Sequence, residues 1–341
     1  VRITLVARDI ETPYSGMIPG FVAGRYSFEE CHIDLARLSA RWGVRLIHAE
    51  ARGIDRAKRA VLLKDQPAIS YDLLSVDVGS APNVDGLAGA DQWAIPVKPI
   101  AELGRRWLDF SERMRSWVGQ LNIMVIGGGA GGVELALAIE HRLTEIAESA
   151  GLLITLATRD EVLEGHAAAA RGMLRGILHR RGIRLLEHCP ARRIEAGQVQ
   201  LADRWHPADA VFVVTEASAA KWFAETGLAL DERGFLAIDE TLRSISDPRI
   251  FAVGDCATML AHRRPKAGVF AVRQGPPLAR NLRCALLGQP LHAYTPQRGQ
   301  LSLIGTGDGH AVATRNFWAI QGRWVWWWKD HIDRKWMRMY R

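Results

Sequence analysis

The chain has 341 residues, of which 48% are hydrophobic, 24% charged and 32 glycine. That is long enough for two or three domains with cores of their own, and the profile is that of a globular α/β protein. No apolar run reaches the roughly 18 residues of a membrane span. Four scattered cysteines (Cys31, Cys189, Cys256, Cys284) make no CxxC or metal spacing, which argues against a disulfide framework or a zinc site. The formal charge of +7 and pI near 9.5 suit an anionic partner. Basic pairs such as Arg105–Arg106 and Arg180–Arg181 are dispersed, so nucleic acid is not expected.

In chain order, Val1–Ala7 reads as a strand, followed by the turn-rich ETPYSGMIPG. A helical pattern from Ser27 to Trp42 has Ser27 as its cap and Glu30 as the capping partner. Val44–His48 and Val61–Leu63 are short strands. Tyr71–Val78 is a buried-looking strand stopped by Gly79-Ser80-Ala81-Pro82. Ala94–Ile100 is a stiff connector, and a helix over Glu102–Trp117 follows.

Ile123–Leu135, IMVIGGGAGGVEL, then gives the order strand, glycine turn, helix. Gly127 permits the tight turn, Gly129 lets a pyrophosphate approach the backbone, and Gly132 allows close helix–strand packing. From Ala130 the helix N-terminus offers N–H groups to phosphate. Beyond it the pattern predicts a strand at Leu152–Ala157, a helix at Ala167–Arg181 and strands at Ile183–Leu186 and Ala210–Val214. IFAVGD (Ile250–Asp255) resumes an interrupted plan, so two strand-turn-helix halves look duplicated. From Gln300 come short strands, LSLIGTG and HAVATRN, and a Trp-rich basic end.

The strand ending in Gly254-Asp255 puts a carboxylate where a chain of hydroxyls can be held. With the glycine turn it resembles the two-dinucleotide-binding flavoproteins, the pyridine nucleotide–disulfide oxidoreductase superfamily. Within that superfamily, GDCA resembles type II NADH dehydrogenases. The stretches TPYSGMIPG, YDLLSVDVGSAP, GVFAVRQGPPLARNL and GRWVWWWKDHIDRKW are similar to the subgroup associated with selenide, water dikinase.

The resemblance implies two Rossmann-like three-layer domains, an FAD domain interrupted by an inserted NAD(P) domain, plus a C-terminal α+β segment. The boundaries would be 1–119 and 246–299 for the FAD domain, 120–245 for the NAD(P) domain and 300–341 for the C-terminal segment. It places Pro13, Ser15 and Gly16 against the flavin and Gly79 and Ser80 near the pyrophosphate. Gly254 and Asp255 would sit on ribityl and phosphate, and the N–H groups of Gly268, Val269 and Phe270 on the pyrimidine edge. Thr158 and Arg159 follow the second strand of the inserted domain, where an Arg can pair with a 2′-phosphate. A solvated loop Arg is the other reading.

Glu134 matches the acid that approaches nicotinamide in type II NADH dehydrogenases, and it would equally favour the helix dipole. Arg273 and Gln274 fall at the quinone-facing positions; the plainer alternative is a helix start, with Pro276-Pro277 in its first turn. Lys98 either reaches the flavin or is a solvated linker residue. Cys256 is expected to be a packed thiol with no redox partner.

Four departures from the family pattern stand out. The opening strand and GxGxxG that cradle FAD are missing, because Val1 matches the second strand; about 30 residues are expected to precede it. Arg8-Asp9 stands where an acid would take the FAD ribose. Thr158-Arg159 replaces a Glu, and Thr215-Glu216-Ala217 replaces Ala-Thr-Gly, setting a carboxylate beside a phosphate-bearing cofactor.

The expected function is an FAD-dependent oxidoreductase that takes hydride from NAD(P)H and passes electrons to a quinone or a small sulfur or selenium species. The alternative is a flavin- or nucleotide-binding partner of selenide, water dikinase with little turnover. In the C-terminal segment, Val325, Trp328, Ile332, Trp336 and Met339 are expected on one side, with cations around the rest. That pattern suits an interfacial helix, a helix docked on the body or a homodimer face. A cytoplasmic protein, peripheral to the inner membrane face, is the corresponding expectation.

Overall fold

The apolar run Leu121–Ile126 lies in an eight-residue strand, Gly119–Ile126, around which one of two compact units is built. The computed structural model describes residues 1–98 and 100–341; Pro99, in the predicted connector, lies outside the described residues. One unit comprises residues Thr12–Ile33, Pro82–Glu216 and Gly299–Arg341. The other comprises Val1–Glu11, Asp34–Ala81 and Ala217–Arg298. The segments 12–33 and 299–341 thus join the glycine-turn unit.

In that unit five parallel strands run in the order Ile95–Pro96, Ala210–Val213, Gly119–Ile126, Ala150–Ala157, Arg184–Leu186. Central strands buried on both faces need continuous apolar sequence, which LNIMVI and AVFV supply. The order reverses between Gly119–Ile126 and Ala210–Val213, so the crevice beyond their C-terminal ends is where an α/β sheet takes ligands. Helices Ile100–Met114, Ala130–Ile146 and Ala168–Arg180 accompany the sheet. Trp107 and Phe110 meet Phe212 edge-on at centroid distances of 6.2 and 5.8 Å. The predicted connector therefore supplies an edge strand, Ile95–Pro96, that pairs with Ala210–Val213.

Two antiparallel three-stranded sheets complete this unit. The sheet of Ala191–Glu195, Gln198–Leu201 and Arg204–Pro207 was not foreseen in the sequence. The other is formed by Ser302–Gly305, Ala311–Arg315 and Trp318–Gly322 and leads into the helix Arg323–Met337.

The second unit contains parallel pairs rather than one broad sheet: Thr4–Ala7 with Arg45–His48, Leu74–Val76 with Ile250–Ala252, and Leu236–Ile238 with Ala257–Met259. Its core gathers Val76, Phe223, Leu236, Ile250 and Met259. Neither strand of the first pair contributes a buried residue. The predicted strand Tyr71–Val78 shortens to Leu74–Val76.

The helix expected over Ser27–Trp42 is broken. Ser27 and Glu30 do form a capping box, but the helix they start ends at Cys31, and a second, Leu35–Arg41, starts under Asp34. Asp34 is itself a strong cap, accepting from the Arg37 N–H at 2.9 Å. The backbone between the helices takes partners elsewhere: Cys31 O accepts from Tyr14 N–H, and Leu35 N–H donates to Ile10 O.

The helix Gly268–Leu286 also differs from expectation, since Pro276 and Pro277 lie in its interior, where two N–H donors are lost. Asn281 ties this helix to its surroundings. It is fully buried; its amide donates to Thr241 O and His292 O at 2.8 Å, and its oxygen accepts from His292 N–H at 2.9 Å. Asn281→Ala strands three backbone groups and should cost about 2 kcal/mol, measurable by urea denaturation. A loss below about 0.5 kcal/mol would mean that water replaces the amide.

Candidate nucleotide and redox sites

In the glycine-turn unit, Gly127 has φ +129, and a Cβ there would lie 2.3 Å from Val214 O. A Cβ on Gly132 would lie 1.8 Å from Gly127 O. Neither position accepts a side chain. Gly129, by contrast, has nothing within 4 Å of its Cβ position, so the backbone is open above the turn. It is the N-cap of Ala130–Ile146, and the first helical bond is Val133 N–H to Gly129 O. The N–H groups preceding Val133 form an anion-binding end.

Thr158 is buried, and both its backbone groups are bonded, N–H to Leu186 O and O to Cys189 N–H. Arg159 is exposed, with its guanidinium 2.8 Å from Asp160 and 3.8 Å from Glu216. Glu216 therefore stands beside a cation, which offsets its repulsion of a phosphate. Its backbone O accepts from Asn83 N–H, while Thr215 Oγ1 donates to Asn83 O.

Glu134, in the first turns of the same helix, accepts from the Gly305 N–H at 2.6 Å. Part of its side chain meets solvent, yet burial of the carboxyl lifts its pKa to about 7, with Lys329 and the Gly305 N–H pulling the other way. Lys329 Nζ donates to Asp333 Oδ2 at 2.8 Å and to Gly16 O at 2.6 Å. Glu134 and Gly16, read separately in the sequence, thus share Lys329. Ser15 and Gly16 lie in a 3₁₀ turn, and Pro13 ends the preceding strand, Glu11–Pro13. A cavity beside this cluster is lined by Pro19, Tyr26, Glu134, Gly305, Trp326 and Lys329, among others. Lys98 lies half-buried just past the edge strand.

In the other unit, Gly254 has φ +69, and its Cβ would lie 2.4 Å from Asp77 Oδ1. Its N–H donates to Gln274 Oε1 at 2.6 Å, so what Gln274 offers a ligand is its amide N–H pair. Ser80 Oγ donates to Asp255 Oδ2 at 3.2 Å. Asp77 is pushed up to about 6 by burial and by Asp255. Gly79 has φ +70 with open space around it. Gly268, Val269 and Phe270 open the helix, but the Phe270 N–H is taken by Ala267 O. Lys266 sits 3.9 Å above the Phe235 ring and donates to Thr258 Oγ1 at 2.9 Å; burial lowers its pKa to about 8. Gly254, Asp255, Thr258, Lys266, Phe270 and Gln274 line part of one cavity. Arg273 lies next to Gln274 on the helix, and the Arg8–Asp9 position holds an ion pair at 2.9 Å.

The sequence reading missed Asp77, Lys266, Lys329 and Asp333. Only the last two carried a usable signal, the i, i+4 spacing of opposite charges. Cys256 is fully buried, and burial pushes its thiol up to about 12.

The sequence profile of the pyridine nucleotide-disulphide oxidoreductase family matches residues 1–275. The probable ferredoxin reductase CtmF of Castellaniella defragrans is 25% identical over 84% of this chain and 70% of its own length. The NADH dehydrogenase-like protein YutJ of Bacillus subtilis is 24% identical over 92% and 84%. Among solved structures, the sulfide:quinone oxidoreductase of Aquifex aeolicus superposes with a TM-score of 0.81 at 18% identity, over 100% of this chain and 85% of that one. NDH2 of Plasmodium falciparum does so at 0.75 and 14%, over 98% and 92%. At these identities the structures speak for the fold.

Proposed function

This chain belongs to the pyridine nucleotide-disulphide oxidoreductase family, and we propose that it passes electrons from NAD(P)H to a quinone or small acceptor without a cysteine relay. As a member it is an FAD-dependent NAD(P)H oxidoreductase. The observation that carries the reading is the open cradle at Gly129, framed by glycines that tolerate no Cβ, at the switch point of a parallel sheet.

The residues present fit the two cofactors. The Gly127–Gly132 turn would hold the NAD(P) pyrophosphate, and Thr158 and Arg159 its adenosine ribose or 2′-phosphate. Asp255 and Ser80 would hold the hydroxyls of the flavin's ribityl chain, beside the helix start at Gly268. When bound, the flavin supplies the two-electron acceptor and one-electron donor chemistry that side chains lack. The protein's part is orientation, charge and proton handling: Glu134 keeps a proton near neutral pH, and Gln274 presents amide N–H groups. The buried Cys256, with its raised pKa, is a poor nucleophile, which supports an acceptor reached without a thiol intermediate.

One finer point belongs to the same proposal. The kinship with flavoproteins associated with selenide, water dikinase rests on sequence stretches alone, and it points to a selenium or sulfur acceptor.

The test is an absorbance spectrum of the purified, FAD-loaded protein before and after anaerobic NADPH or NADH. A yellow protein bleached by either donor is expected. A colourless protein, or a yellow one inert to both, sinks the reading and leaves a binding module. Arg159→Glu should lower the NADPH-over-NADH ratio of kcat/KM about tenfold, the worth of one exposed charge-assisted contact. An unchanged ratio would remove Arg159 as the reader of the 2′ position.

A further inference from the structure

Three strands of the parallel sheet end level with one another. Ile126 closes the central strand, opposite Ala157 on one side and Val213 on the other. Gly127, Thr158 and Val214 come next on the three segments, and shortly beyond them stand Arg159 and Glu216. These two residues are carried by strands two places apart, roughly 10 Å, with the glycine turn between them. Their side chains nevertheless meet: Arg159 Nη2 is 3.8 Å from Glu216 Oε1. The contact therefore crosses the end of the central strand, at the switch point where such a sheet takes a dinucleotide.

Both ends of this bridge are anchored. Glu216 O accepts from Asn83 N–H at 2.7 Å, and Thr215 Oγ1 donates to Asn83 O at 2.6 Å. On the other side the buried Thr158 has both backbone groups bonded. Asp160 holds a second edge of the guanidinium, accepting from Arg159 Nε at 2.8 Å, and Glu164 adds to the negative field. One cation thus faces three carboxylates above a helix end that binds anions. A pyrophosphate or a 2′-phosphate gains Arg159 only by displacing Glu216. The two side chains are 71% and 66% exposed, so the pair is weak and handicaps a ligand without barring it.

We propose that the Arg159–Glu216 pair is a latch across the nucleotide crevice, that a dinucleotide opens it on binding, and that Glu216 thereby biases the site toward NADH. A 2′-phosphate depends on Arg159 more than a 2′-hydroxyl does, so the closed latch costs NADPH more. The inference rests on the NAD(P)H reading of this crevice and deepens it by choosing between the donors.

The test is titration calorimetry of the FAD-loaded chain with ADP-ribose and 2′-phospho-ADP-ribose, which lack nicotinamide and report binding without turnover. At low salt Glu216→Gln should bind ADP-ribose about fivefold tighter than the native chain, the worth of one exposed ion pair. It should bind the 2′-phospho form about twentyfold tighter, as a freed charge-assisted contact allows. High salt should shrink both gains, because it screens the pair in the native chain. Glu216→Asp keeps the charge but is one methylene too short to span the gap; it should bind the 2′-phospho form about threefold tighter than native or better. Both side chains are exposed, so thermal midpoints should stay unchanged. An Asp variant that binds like the native chain leaves repulsion without a latch and overturns the proposal. Weaker binding by Glu216→Gln also overturns it, making the pair a clamp over bound nucleotide. A native chain that binds ADP-ribose with no response to Glu216→Gln sinks the latch and spares the redox reading. Binding by neither protein sinks both.

Discussion

Lys329→Met should destabilise the protein by about 3–5 kcal/mol, the cost of breaking a buried ion pair by removing one partner. Lys329 is 7% exposed and Asp333 5%. Burial works against the ammonium, but Asp333 and then Glu134 outweigh it, so the lysine pKa lies above its ordinary value. A raised lysine contributes its stability at all pH below about 10 and loses it only above, so ordinary assays sample the intact pair. Without the cation, Asp333 is left buried with the Tyr14 hydroxyl as a remaining partner, and Glu134 loses its counter-charge. Glu134, whose carboxyl is already lifted to about 7, can escape by taking a proton, so the loss should be largest at pH 8 and smaller at pH 5. Lys329→Met with Asp333→Leu should recover most of it, since an apolar pair of similar volume is often as stable as the ions. Urea midpoints of the single and double variants at both pH values decide the matter. A single-variant loss under about 1 kcal/mol at pH 8 would show that the pair is solvated.

Much of the parallel-sheet unit could be read from the chain because its determinants are local. The run of apolar residues into Gly127, the Ala- and Leu-rich helix after it and the strand at Ala210–Val213 each declare themselves within a dozen residues. The candidate site was legible to the same depth. Gly127 and Gly132 show a local reason, because a Cβ at either would meet backbone and glycine is the sole choice, whereas Gly129 stands in open space. What failed to show depended on distant partners. The break between Cys31 and Leu35 is fixed by bonds to Tyr14 and Ile10, invisible in a window that contains two good caps. Ile95–Pro96 is a strand because Ala210–Val213 lies beside it. The C-terminal helix turned its charges inward because Gly16 and Asp333 offered Lys329 oxygen atoms, and hydrophobic periodicity alone ranks such a face as polar surface.

Glu134 should make stability fall as pH rises through the weakly acidic range. Its carboxyl is lifted from the ordinary 4.5 to about 7 by burial, against the pull of Lys329 and the Gly305 N–H. Between those values the folded chain holds a proton that the unfolded chain has released, so each step up in pH favours unfolding. The stabilising contribution is full below about pH 4.5 and gone above about 7. The shift sets a ceiling of about 3 kcal/mol, and roughly half survives once the solvent-facing part of the side chain is allowed for. Glu134→Gln keeps an oxygen for the Gly305 N–H and removes the titration, so its stability should be nearly flat over that interval. A remnant of slope should persist, because Asp77 is raised to about 6 with the same sign; Asp77→Asn should remove that lower portion. Denaturation midpoints against pH for the three proteins separate the two acids. The same experiment bears on chemistry: if Glu134 handles a proton during turnover, the inflection of kcat/KM near pH 7 should vanish in Glu134→Gln along with the stability slope. A slope unchanged by Glu134→Gln would place the proton on another group and return Glu134 to a purely structural part, holding Gly305 to the head of the helix Ala130–Ile146.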